Sequence, residues 1–157
     1  MFKLLFAMFG LCALFTSEAH AADAKLYSGT SCQSNSTSTP LYYHDGMAGN
    51  SSSASTLLVD CAVARDNTSS SSIRMYLIDQ HYSSNISCYA SSIQVGTAWS
   101  GWWTAVYSTS GTNSTAQSVS LGSISGNSSS WLHLTCSVPP TYSGSASGIQ
   151  AYYVNET

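Results

Sequence analysis

Hydrophobic and polar residues alternate along several short segments of the chain. In residues 131–138, apolar residues at even positions alternate with Trp, His, Thr and Ser at odd positions. The same period of two runs through Leu57–Arg65 and through residues 73–78, 86–90 and 149–154. Successive side chains of a strand point to opposite faces, so the pattern predicts β-strands with one apolar face.

Clusters of Ser and Gly separate these segments and divide the chain into pieces of strand length. Regular turn signals between short strands are typical of a sandwich or a barrel. We therefore predict an all-β fold, an antiparallel β-sandwich of about seven to nine strands. Residues 65–68, followed by serines, predict the loop of a hairpin between the first two of the alternating strands.

The N-terminus has the layout of a signal peptide. A cationic start, Met1–Lys3, precedes an uncharged apolar run, Leu4–Phe15. A polar stretch then ends with the small residues Ala19 and Ala21, at positions −3 and −1 of a cut after Ala21. We predict a signal peptide of residues 1–21 and a single β-sandwich domain of residues 22–157. The apolar run is shorter than the ~20 residues that span a bilayer. The prediction is therefore a secreted protein, extracellular or periplasmic, with no transmembrane segment in the mature chain.

Four cysteines remain after the predicted cleavage: Cys32, Cys61, Cys88 and Cys136. An even number of cysteines in an exported chain predicts two disulfides. A zinc site is the alternative, but no pair has the Cys-x-x-Cys spacing of such sites. The apolar neighbours of the cysteines favour bonds buried between sheets, and we hypothesise the pairs Cys61–Cys88 and Cys32–Cys136.

Charged residues make up only 7% of the chain, and the net charge is −3. Soluble proteins average roughly 25%. Four Lys and Arg in total exclude a nucleic-acid binder, which needs clustered cations, while 43% hydrophobic residues suffice for a core.

A nearly uncharged surface suits association with other molecules. The leading hypothesis is a secreted non-enzymatic protein, a surface, adhesion, matrix or envelope component, whose partners are glycans or other extracellular proteins.

The densest aromatic patch predicts an alternative function, a carbohydrate-binding module. The patch contains Trp99, Trp102, Trp103 and Tyr107. Exposed aromatic faces stack on sugar rings, whereas buried ones fill a core. If the segment is a strand, Trp102 and Trp103 point to opposite faces, and one of them faces outward.

The sequence contains no clear motif for catalysis or metal binding, and we predict no catalytic residue, metal or cofactor. A hydrolase ranks third, because no Gly-x-Ser-x-Gly motif is present and His133 lies on the polar face of a strand. Asp60 and Asp79 are the conceivable carboxylate pair of a glycosidase. A metal site would draw on His44, Asp45, Asp79 and His81, although His44-Asp45-Gly46 is more simply a turn.

Every asparagine of the chain is followed two places later by Ser or Thr. Such triplets are glycan acceptors in eukaryotic secretory proteins, but they also form good turns, so glycosylation stays open. The seven residues are Asn35, Asn50, Asn67, Asn85, Asn113, Asn127 and Asn155.

Several short motifs follow one another along the chain. They are Gly29-Thr30-Ser31-Cys32, then Tyr43, Gly46 and Asn50, then Val59-Asp60-Cys61 with Arg65-Asp66, then Asp79, Cys88, Leu134-Thr135-Cys136-Ser137-Val138-Pro139-Pro140 and Glu156. In this order they resemble a family of short secreted bacterial proteins of unknown function, whose members often have Pro where this chain has Ala62. The resemblance implies a disulfide-bonded β-sandwich and implies no catalytic residues.

Overall fold

The computed structural model describes residues 23–36, 41–66, 70–96 and 100–156, which form two antiparallel six-stranded sheets. The first sheet contains β1 (Asp23–Ser28), β3 (Leu41–His44), β4 (Met47–Asn50), β6 (Ser71–Asp79), β10 (Asn113–Ile124) and β12 (Gly148–Glu156). The second contains β2 (Cys32–Ser34), β5 (Leu57–Val63), β7 (Ser87–Gln94), β8 (Gly101–Trp103), β9 (Tyr107–Ser108) and β11 (Ser130–Val138).

The strand order is β10-β6-β12-β4-β3 in the first sheet, with β1 also beside β12. It is β2-β5-β11-β7-β8 in the second, with β9 also beside β7. A 3-10 turn, Gly29–Ser31, connects β1 to β2. Within the described ranges no helix is long and apolar enough to cross a membrane.

The predicted all-β sandwich is confirmed, and the five alternating segments are strands β5, β6, β7, β11 and β12. The strand number was too low, since the described part of the chain contains twelve. Five of these have only two to four residues, too few to show a period of two. The predicted signal peptide, residues 1–21, lies outside the described residues, and the domain boundaries stay a prediction.

The core lies between the two sheets, which face each other with their apolar sides. Val59 and Leu134 of the second sheet and Met75 and Tyr152 of the first are fully buried. The predicted hairpin at residues 65–68 is wrong, because β5 pairs with β2 and β11 whereas β6 pairs with β10 and β12. Two consecutive strands that each bury one face are placed here in opposite layers, so the connection crosses between sheets.

The two predicted disulfides are present, but the hypothesised pairing is wrong. Cys32 is bonded to Cys61 and Cys88 to Cys136, with Cα–Cα distances of 4.0 and 4.1 Å. Each bond joins directly opposed residues of neighbouring strands within the second sheet. The hypothesised Cys61–Cys88 bond would have to pass over β11, which lies between β5 and β7. Strand order, which the cysteine spacing does not reveal, therefore decides the pairing.

Two tyrosines connect the sheets by hydrogen bonds. Tyr27 of β1 and Tyr152 of β12 stack with ring centroids 4.8 Å apart. The Tyr27 hydroxyl donates to the Ala64 carbonyl at 3.0 Å, and the Tyr152 hydroxyl donates to the Ala62 carbonyl at 2.6 Å. Burial raises the pKa of Tyr152 from 10.0 to about 12. Its phenol therefore stays protonated in the folded protein at a pH where it ionises in the unfolded chain.

We expect this tyrosine to contribute to alkaline unfolding. Because the folded pKa is raised, the contribution is present below pH 10 and is lost as the pH rises towards about 12. At neutral pH, Tyr152→Phe should lower the free energy of unfolding by about 1 kcal/mol, because the Ala62 carbonyl loses its donor. The difference between the two proteins should shrink above pH 10, as urea unfolding at several pH values would show. Tyr42→Phe, at an exposed ring, is the control, and a constant difference at all pH values would contradict the prediction.

Candidate functional site

The outer face of the second sheet carries a continuous depression, which we call the trough. It consists of two adjoining cavities of about 310 and 400 Å³ that share Asp60 and His133. Trp131 lines the first cavity, and Trp103 and Tyr89 line the second. The trough thus gathers residues from strands β5, β7, β8 and β11.

Alternation along the strands explains why these side chains face outward. In β11, Leu132 and Leu134 are buried in the core, so Trp131 and His133 point to the other face. The pairing register then sets their neighbours across the sheet. His133 lies opposite Ala62 on one side and Ser91 on the other, and Ser91 lies opposite Trp103. A row of small or flat side chains therefore crosses four strands and ends at a tryptophan.

Two tryptophans expose much of their ring surface at the trough. Trp131 is 50% exposed and Trp103 is 49% exposed. The Trp131 indole stacks on the His133 imidazole, with ring centroids 4.8 Å apart and an interplanar angle of 19°. Trp103 borders the second cavity together with Ile93 and Tyr89. Flat apolar surfaces at two places on one face provide contact area for a ring-shaped ligand.

The floor between the tryptophans is polar and carries little charge. Asp60 accepts hydrogen bonds from Thr135 at 2.7 Å and from Asn35 at 2.8 Å. Among the described residues it is the only carboxylate that lines the trough. Burial lowers the pKa of His133, an effect that the nearby Asp60 opposes. The imidazole is therefore neutral at pH 7, where it can both donate and accept. The His133 ring lies 3.1 Å from the Ser91 hydroxyl.

The trough brings together Ser91, His133 and Asp60, the residue types of a catalytic triad, without the contacts of one. In a triad the acid hydrogen-bonds the histidine and orients it towards the serine. Among the described residues, the Asp60 oxygens bind Asn35 and Thr135 instead. Ser91 is fully buried within a regular strand, rather than exposed at a sharp turn. This geometry gives Ser91 no oriented base.

The predicted aromatic patch does not form one surface. Trp99 lies outside the described residues. Trp102 and Trp103 are consecutive in β8 and lie on opposite sides of the sheet, as a strand requires. Trp102 and Tyr107 lie opposite Ser92 and Cys88, whose side chains face the core. Of the described patch residues, Trp103 alone lines the trough.

The residues weighed for a metal site are dispersed, and the part of the chain that the structure describes holds no group of three metal-ligating side chains. His44 and Asp45 pair with each other at 2.9 Å, at the β3–β4 turn. The His81 Nδ1 atom accepts hydrogen bonds from the backbone amides of Ser83 and Ser84. Asp79 is fully buried and lines no part of the trough, so it does not pair with Asp60.

Asn50 has a structural role that excludes it as a glycan acceptor in the folded protein. Its side chain is fully buried. The amide nitrogen donates to the carbonyls of Ser55, Val138 and Pro139 at 2.8 to 3.1 Å. By contrast, the Asn85 and Asn113 residues are exposed.

Sequence reasoning missed Trp131 and Tyr89 as site residues. The signal for Trp131 was present, because it alternates with the apolar positions of β11 and so must face outward. Its place in the same trough as Trp103, 28 residues earlier in the chain, depends on β7 lying between β11 and β8.

The comparisons with known proteins identify no family. No family model matches the chain, and no curated protein sequence matches it. Among solved structures, the chain is similar to the crystal structure of the CBM36-1 domain of a multidomain xylanase from the hindgut metagenome of Trinervitermes trinervoides. The identity is 7% and the TM-score is 0.47, over 86% of this chain and 98% of that chain.

Proposed function

We propose that this is a secreted, non-catalytic glycan-binding protein whose trough binds an uncharged saccharide. The observation that carries the proposal is the placement of Trp103 and Trp131, both about half exposed, on the same face of one sheet. Two indoles beside a hydrogen-bonding floor match the two surfaces of a sugar, which has apolar ring faces and a rim of hydroxyls.

The floor supplies the groups that orient a saccharide. Asp60 accepts hydrogen bonds, and the neutral His133 donates or accepts one, so both suit sugar hydroxyls. No cation lines the trough among the described residues, which disfavours an anionic ligand there. These residues lie on paired strands. Because the strands already hold the side chains in place, ligand binding loses little free energy through ordering of the site.

The experiment that tests the proposal compares three tryptophans. Binding to a glycan array would first identify a ligand, and calorimetry would then measure its affinity. We expect Trp131→Ala and Trp103→Ala each to weaken binding by about tenfold to a hundredfold, because each removes a stacking surface. Trp102→Ala is the matched control, since it makes the same change one residue away, on the other side of β8.

The control also separates the trough from the aromatic patch that the sequence suggested. If Trp102→Ala weakens binding as much as Trp103→Ala, the ligand does not lie in the trough. Absence of binding to every glycan would reject glycan recognition altogether. The leading sequence-based hypothesis, a surface, adhesion, matrix or envelope component, stays a prediction that a glycan-binding protein would satisfy.

A further inference from the structure

A second depression lies on the opposite side of the sandwich, on the outer face of the first sheet. It has a volume of about 390 Å³, and Arg74 of β6 is among its lining residues. Ile73 and Met75 of the same strand are buried in the core, so Arg74 points outward. Its direct neighbours are Ser120 of β10 and Tyr153 of β12.

The charge of this depression is unbalanced. None of its lining residues is a carboxylate, and Arg74 has no ion pair within the described ranges. Lys25, by contrast, lies 2.7 Å from Asp66 and 3.2 Å from Asp23. An exposed guanidinium with unused donors is a natural site for a carboxylate, sulfate or phosphate group, which it can bind through two parallel hydrogen bonds.

The neighbours of Arg74 narrow the class of anion. The rings of Tyr76 and Tyr153 border the depression, as do polar groups of Asn155 and Ser120. A nucleic acid or an anionic membrane is bound by clustered cations, and this depression contains a single one. One cation beside two tyrosines and several uncharged polar residues fits a sugar unit that carries one anionic substituent.

We propose that the Arg74 depression is a second binding site, for an acidic saccharide that carries a carboxylate or a sulfate. Arg74 would bind the anionic group, and Tyr76 and Tyr153 would contact the ring. The site is independent of the trough, because it lies on the other sheet and has the opposite charge. The protein would then hold an uncharged glycan on one face and an acidic glycan on the other.

The test is a titration of the full chain with three probes of equal length: trigalacturonic acid, a sulfated galactotriose and uncharged galactotriose. We expect at least one acidic probe to bind, and binding to weaken when NaCl is raised from about 0.05 to about 0.5 M, because an exposed ion pair is screened. Arg74→Gln should weaken it by at least about tenfold. Arg74→Lys should have an intermediate effect, because it keeps the positive charge but loses the two parallel hydrogen bonds of the guanidinium.

Each outcome bears on the proposal. Binding of the uronate only, or of the sulfated probe only, supports the site and identifies the anionic group. Trp131→Ala should leave acidic-probe binding unchanged, so loss of the trough and loss of this site are distinguishable. The proposal is overturned if neither acidic probe binds, if the Trp131→Ala variant binds the uncharged probe as well as it binds the acidic ones, or if Arg74→Gln, folded by circular dichroism, binds like the wild type.

Discussion

Replacing Cys88 and Cys136 together by alanine is expected to lower the free energy of unfolding by about 4 kcal/mol. The two residues are 48 positions apart, so their bond restricts a long loop of the unfolded chain. Both side chains are fully buried, and the shorter alanines would also leave unfilled space in the core. A small domain has only about 5–15 kcal/mol of net stability. We therefore expect the variant to be close to unfolding at physiological temperature, as urea titration would show.

The second disulfide is the matched comparison. Cys32 and Cys61 are 29 positions apart, and their bond attaches the edge strand β2 rather than the central strand β11. The paired alanine variant should therefore lose less stability than the first. A larger loss from this pair would contradict the assignment of roles. A peptide map of the unreduced protein that contained Cys61 joined to Cys88 would contradict the pairing itself.

Asp79→Asn is expected to cost about 2–4 kcal/mol of stability. The buried carboxylate accepts hydrogen bonds from four donors that belong to three separate segments of the chain. They are the backbone amides of His81 and Ile86 and the hydroxyls of Thr109 and Ser147. An asparagine has one acceptor oxygen instead of two. Its NH₂ group would face groups that are themselves hydrogen-bond donors, so these would lose their acceptor. The end of β6 and the loops packed on it would lose their common anchor.

Asp45→Asn is the control for this change, because it replaces the same side chain at a site where 86% of it is exposed. Asp45 has a backbone φ of 47°, a conformation that asparagine also tolerates. We expect an effect within about 0.5 kcal/mol, measured by thermal and urea unfolding. Equal losses for the two variants would show that the Asp79 hydrogen bonds are not a structural anchor.

The candidate site shows what the alternation of polar and apolar residues predicts and what it leaves undetermined. Alternation along β11 placed Trp131 and His133 on the polar face, and alternation along β8 placed Trp102 and Trp103 on opposite faces. Neither pattern says which strands are neighbours. The trough exists because β7 lies between β11 and β8, and a period of two carries no information about strand order.

The same distinction applies to the cysteines. The predicted export and an even cysteine count sufficed to predict two disulfides, yet both hypothesised pairs were wrong. A disulfide forms between residues whose Cα atoms lie within a few ångströms of each other. That proximity arises from strand register, which joins residues 29 and 48 positions apart.

By itself, the order of residues determined the fold class, five of the seven strands longer than four residues, and the side of each of these five that enters the core. These properties depend on where apolar side chains recur, and burying them away from water is a local requirement of every strand. Tertiary structure alone decided which strands pair, which cysteines bond, and how a tryptophan, a histidine and an aspartate from three strands come to share one face. Such contacts depend on how the two layers pack as a whole, and many arrangements of the same strands would satisfy the local pattern equally well.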